Sequence, residues 1–94
     1  MTEIKTRSDV LNTANRYVTK DRASDHGPME DNFGRIAKLW EGYLGVNINA
    51  VDVAAMMTLL KIARSKSNPT HLDNWVDSCG YMACGGELAA RGGD

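Results

Sequence analysis

Ninety-four residues with eleven basic and twelve acidic side chains leave a net charge of −1. That balance excludes a general binder of DNA or RNA polymers, which needs a basic excess to displace counterions from phosphates. One domain is expected at this length, and no run approaches the roughly 18 apolar residues of a membrane span. A chain this short buries only about two-thirds of the surface its unfolded form exposes, so oligomerisation is expected to complete the core. The opening Met1-Thr-Glu-Ile-Lys5 lacks the apolar stretch of a signal peptide. Cys79 and Cys84 are five apart, a spacing that suits neither a metal knuckle nor a disulfide within one helix. They are expected to be buried free thiols in a reducing cytosol, which places the protein in the cytoplasm.

The first helix is predicted from about Ser8 to Lys20, with Ser8 as cap, Asp9 in the first turn, and Val10, Leu11, Ala14, Tyr17 and Val18 as its apolar stripe. The polar run from Asp21 to Pro28, ending in Gly27-Pro28, reads as a loop. Pro28 suits the first position of a second helix. Met29, Phe33, Ile36, Ala37, Trp40, Tyr43 and Leu44 then recur at helical spacing until Gly45 supplies a left-handed end. Asn49 with Asp52 predicts a capping box for a third helix. That helix is apolar nearly all round from Val51 to Ala63, so it is expected at the centre of the bundle or in a subunit interface. Asn68-Pro69 breaks the chain. Thr70 with Asp73 predicts a fourth helix with Leu72, Trp75, Val76, Cys79, Met82 and Ala83 on its apolar side, ended by Gly85-Gly86. The expected architecture is all-α, a compact four-helix bundle over residues 1–94, with 1–7 and 90–94 flexible.

Several polar groups exceed what such a bundle requires. Asp73 and Asp77 are four apart on one helix, about 6 Å between Cβ atoms, close enough to share a divalent cation through their oxygens. A capping Asp73 and a solvated Asp77 are the plain alternative, and capping accounts equally well for Asp52. Lys61 and Arg64 lie three apart on the otherwise apolar third helix. An ammonium there must snorkel out or meet a carboxylate or phosphate. Glu30, Asp31 and Asn32 open the second helix, where acids also serve the helix dipole. His26 sits in an Asp-His-Gly-Pro turn as a weak ligand candidate or a plain surface residue. Trp40, Trp75, Tyr43 and Tyr81 could stack on a base, with core packing the commoner role for the tryptophans. Tyr81, one turn beyond Asp77, is the preferred candidate. The chain contains no nucleophile elbow, Walker loop or Gly-x-Gly-x-x-Gly turn.

The series His26-Gly-Pro…Asn32-Phe33…Ile36-Ala37…Leu39-Trp40, then Asp52-Val-Ala-Ala-Met-Met…Leu60-Lys61-Ile-Ala-Arg64, then Asp73-Asn-Trp-Val-Asp77-x-x-Gly80-Tyr81 resembles a family of small phage and prophage proteins. The resemblance covers residues 22 to 88. That family is in turn distantly similar to the MazG-like, all-α nucleoside triphosphate pyrophosphatases, in which carboxylates on two helices hold magnesium ions that cleave between the α and β phosphates. The resemblance implies an oligomeric helical bundle with a site between helices. Asp77 matches the last acid of the second Glu-x-x-Asp motif, and Asn74 stands where that motif has Glu. The first motif, Glu-x-x-Glu, has no counterpart: Asp52 is followed by Ala55 and Glu30 by Phe33.

Three functions follow as expectations. The first is a phage nucleotide-binding protein with weakened or no catalysis, possessing Lys61, Arg64, Asp73, Asp77, Tyr81, Asp52, His26 and Asn32 as ligand contacts. Its extension is an oligomeric sponge in the host cytoplasm that sequesters a nucleotide immune signal. The second is a Mg²⁺-dependent nucleotide pyrophosphatase with Asp52, Asp73, Asp77 and Glu30 as ligands, the metal expected first at Asp73 and Asp77. The third is a structural or protein-interaction bundle.

Overall fold

Thr6, rather than Ser8, starts the first helix. Its hydroxyl accepts the Asp9 N–H at 3.1 Å, and the Asp9 carboxylate accepts the N–H groups of Lys5 and Thr6 at 3.0 and 3.1 Å. This reciprocal box satisfies amides that a helix start leaves without partners. The amide of Lys5, then that of Thr6, holds the Asp9 carboxyl below its ordinary pKa. Ser8 is already inside the helix, where its hydroxyl accepts from the Asn12 amide. Helix α1 covers Arg7–Arg16 and passes into a π-helical turn, Tyr17–Asp21.

The computed structural model describes residues 3–21 and 28–92, and these residues are all-α. Pro28 stands just ahead of helix α2, Met29–Leu44, as its cap. Gly45 ends that helix with φ 72°, the left-handed conformation that glycine adopts without a steric penalty. Asn49 and Asp52 form the expected box at 2.9 and 3.0 Å and open α3, Ala50–Ser67. Helix α4, Asp73–Ala90, departs from expectation at both ends. Thr70 does not cap it; its hydroxyl donates to the Asn68 side chain, and the Trp75 indole N–H ties the turn by donating to the Pro69 carbonyl at 2.9 Å. Gly85-Gly86 does not end it either, because Gly85 is needed inside the helix for packing.

Helices α3 and α4 form an antiparallel pair with the most extensive contact in the fold; α2 packs on α3, and α1 packs on α4. The core joins Phe33 and Ala37 of α2, Ala50, Val53 and Ala54 of α3, and Cys84 and Leu88 of α4. Two glycines set the spacing. A Cβ on Gly85 would stand 3.0 Å from the Ala54 Cβ, and one on Gly80 would stand 3.0 Å from the Val18 side chain. Arg91 links the helix ends, reaching Glu30 at 3.4 Å and Glu87 at 3.1 Å.

The apolar stripes need three corrections. On α1 the buried positions are Thr13 and Ala14, while Leu11 faces outward. The α2 stripe outruns the core, so Tyr43 is 89% exposed and Leu44 is also exposed. On α4 and at its cap, Val76 is buried as expected, but Leu72, Trp75, Met82 and Ala83 are exposed, and Asn74, Gly80, Cys84 and Leu88 are buried instead. This helix is gripped from two sides, so its small residues take the interior because they let neighbours approach. Cys84 is buried and Cys79 only half-buried, and no disulfide joins them.

Gly85 and Gly86 provide a paired test. Gly86→Ala meets nothing within 4 Å and is expected to stabilise α4 by about 0.5–1 kcal/mol through helix propensity. Gly85→Ala gains the same propensity but must push α3 away, and is expected to destabilise by about 1–2 kcal/mol net of overpacking. Opposite shifts of the urea midpoint are the expected result; shifts of the same sign would show that the α3–α4 spacing is soft.

Candidate functional site

The α3–α4 interface is apolar at one end and polar at the other. Near the start of α3 it holds Ala50, Val53, Ala54, Cys84 and Leu88. Toward the turn that joins the two helices the same faces present Thr58 and Lys61 from α3, and Asn74, Asp77 and Ser78 from α4. Thr58 and Ser78 satisfy their hydroxyls locally, donating to the carbonyls of Ala54 and Asn74 at 2.8 Å each. Lys61 and Asp77 bridge the helices at 2.9 Å, their side chains 15% and 28% exposed. The expected cost of an ammonium on an apolar helix is thus met by a carboxylate from the neighbouring one.

Asn74 is the group that sequence reasoning left out of the site. It lies three residues before Asp77 and eleven before Gly85, which puts it on the α4 stripe that faces α3. It is only 5% exposed, yet its side-chain amide makes no hydrogen bond to any described residue. No fully enclosed polar atom lacks a partner among the described residues, so this amide keeps a narrow opening to solvent. Two signals were available, its helical register with Asp77 and its place where the Glu-x-x-Asp motif has Glu, but an amide there was not counted as a ligand contact.

The other expected contacts are spread out. Tyr81, one turn beyond Asp77, is half-buried with its ring centroid 6.1 Å from that of Phe33. That contact brings the start of α2 beside it, including the half-buried Asn32 next to Phe33. Arg64 is exposed one turn beyond Lys61 and makes no ion pair among the described residues. Asp73 shares a helix with Asp77 but turns outward, 3.8 Å from His71 with both side chains exposed. Asp52 is engaged in the α3 cap, nine residues or about 14 Å along the axis from Lys61. His26 lies outside the described residues. Among those described, no group of three or more His, Cys, Asp or Glu is placed to hold a metal ion. Also among them, no helix is long and apolar enough to cross a membrane.

Chemically, the polar end offers one paired cation and anion, a second cation a turn away, an amide without a partner among the described residues and an aromatic ring. Such a set can bind a polar anion. Three converging carboxylates, which two-metal hydrolysis uses as its scaffold, are not assembled by Asp52, Asp73 and Asp77.

Two phage proteins are similar to this chain. The Gene 55 protein of Mycobacterium phage L5 is 47% identical over 73 residues, covering 77% of this chain and 47% of its own length. The Gene 55 protein of Mycobacterium phage D29 is 40% identical over 75 residues, covering 80% of this chain and 50% of its own. The chain thus spans about half the length of these curated relatives. No solved structure matches it. The model of the family described as "Domain of unknown function (DUF6378)" matches residues 9–89, and the chain belongs to that family, which phages encode.

Proposed function

We propose that this protein binds a nucleotide or a nucleotide-derived small molecule at the polar end of the α3–α4 interface, without cleaving it. The observation that carries the reading is Asn74: an amide 5% exposed and without a hydrogen-bond partner among the described residues, beside an interhelical Lys61–Asp77 pair. That amide offers donors and an acceptor that meet solvent through a narrow opening, so a ligand seated there can hydrogen-bond to it in place of water. In this reading Lys61 and Arg64 receive phosphate oxygens. Asp77 exchanges Lys61 for a sugar hydroxyl or for a single Mg²⁺ carried in on the phosphates, and Tyr81 stands beside the base. The resemblance to MazG-like pyrophosphatases supports a nucleotide as the ligand. The separation of Asp52, Asp73 and Asp77 favours holding over hydrolysis. A homo-oligomer in the host cytoplasm acting in this way would serve as a sponge for a nucleotide signal.

The test is a melting series with nucleoside triphosphates, cyclic oligonucleotides and ADP-ribose derivatives, with and without Mg²⁺, followed by chromatography of the nucleotides. A ligand at 100 times its Kd contributes about 2.7 kcal/mol, which raises the melting temperature by roughly 10–20 °C in a domain of this size. A shift with the nucleotide intact supports the reading. Monophosphate and pyrophosphate in the eluate would replace it with the pyrophosphatase, and no shift across the panel would overturn nucleotide binding.

A further inference from the structure

Helix α3 has two apolar sides, and the fold covers one. The covered side contains Ala50, Val53, Ala54 and Thr58. The uncovered side has Leu59 at its middle, 64% exposed, with Met56 and Ile62 three residues away on either hand, and both are exposed. Ala55 and Ala63 stand four residues from Leu59, Asp52 and Lys66 seven, and all four are exposed. Steps of three, one, three, three, one and three keep all seven on one face of a helix. The pattern is symmetric about Leu59 in size and antisymmetric in charge.

We infer that α3 is the dimerisation helix, pairing antiparallel with α3 of a second copy about a two-fold axis at Leu59. This deepens the oligomeric part of the reading above and is independent of its ligand. An isologous contact needs a surface complementary to itself. In this register Leu59 meets the partner's Leu59, and Met56 meets the partner's Ile62. Ala55 meets the partner's Ala63, a small pair that admits close approach of the helices. Asp52, whose Oδ2 serves the cap, meets the partner's Lys66 in a pair of opposite charge. A parallel register would instead place Asp52 on Asp52 and Lys66 on Lys66, a repulsive arrangement.

The surface available agrees with one missing partner. The chain exposes 6476 Å² for 10.3 kDa, whereas a monomer of that mass exposes about 5,400 Å². The bare side of α3 contributes to that excess, with Leu59, Ile62 and Met56 exposed by 64%, 53% and 39%. The radius of gyration, 13.8 Å, likewise exceeds the about 12 Å expected for a closed domain of this length.

The experiment is light scattering after size exclusion, combined with cysteine cross-linking. The 94-residue chain is expected at twice 10.3 kDa, and Leu59→Asp, an exposed position, is expected to halve that mass while leaving the helical circular dichroism unchanged. Met56→Cys and Ile62→Cys, mixed, exchanged and oxidised, are expected to form a disulfide between the two variants. Each variant alone should give several-fold less cross-linked dimer, because like positions lie about six residues or 9 Å apart along the axis. The wild type, with Cys79 and Cys84, sets the background. A monomeric wild type would hand the face to a different protein or to further chain and overturn the proposal. A dimer indifferent to Leu59→Asp, or cross-linking of each variant to itself, would also overturn it. Nucleotide-induced melting shifts are read on the same samples, so loss of the dimer and loss of the ligand are separately visible.

Discussion

Phe33→Ala is expected to destabilise the protein by about 3–5 kcal/mol, the range for truncating a buried aromatic side chain. Phe33 is 1% exposed and the largest fully buried side chain. It fastens α2 to the α3–α4 pair by packing in the cluster with Ala54, Cys84 and Leu88 and by its tilted contact with Tyr81. Domains of this kind have about 5–15 kcal/mol in total, so the variant should melt tens of degrees lower or be largely unfolded at 37 °C. Phe33→Leu, which keeps most of the volume, is expected to lose about 1–2 kcal/mol. A urea titration of both variants checks the order. If Phe33→Ala lost under 1 kcal/mol, α2 would have to pack independently of this ring.

The second large effect concerns the ion pair. Asp77→Ala leaves the Lys61 ammonium without its carboxylate at a site only 15% exposed. The expected loss is about 1–3 kcal/mol, less than for a fully buried pair because the lysine retains a path to solvent. Lys61→Met is expected to cost less, since Asp77 is the more exposed partner. The double variant should fall short of the sum, with a coupling of about 0.5–3 kcal/mol. A sum without coupling would mean that the 2.9 Å contact contributes nothing to stability. The same proteins divide structure from function: Lys61→Met should remove the nucleotide-induced rise in melting temperature while the fold persists. A Lys61→Met protein that still gained the full rise would remove Lys61 from the ligand site.

Much of this was legible before the fold was known. The four α-helices of the described residues followed from apolar spacing, and the ends at Asn49-Asp52 and Gly45 followed from local hydrogen bonding and backbone stereochemistry, which depend on residues within one turn. The pairing of Lys61 with a carboxylate was one of the alternatives that its place on an apolar helix required. The misreadings share one cause. Thr70 and Gly85-Gly86 carry valid local signals for a start and a stop, yet α4 begins after a turn tied by Trp75 and continues through Gly85, which α3 presses against, and on past Gly86. Propensity at a glycine is worth about 1 kcal/mol, and the burial gained by two closely packed helices exceeds it.

By itself the sequence determined that the described residues are helical, which four segments form their α-helices and where two of the ends are capped, because those properties are set by interactions a few residues long. Only the tertiary structure decided which α4 face is buried, that the Asn74 amide is buried without a partner among the described residues, and that Asp52, Asp73 and Asp77 part company. It also decided which side of α3 remains bare. An all-apolar helix has no preferred face in its own sequence, and the choice falls to its contact with α4, where Gly85 lets the side of α3 that carries Ala54 close.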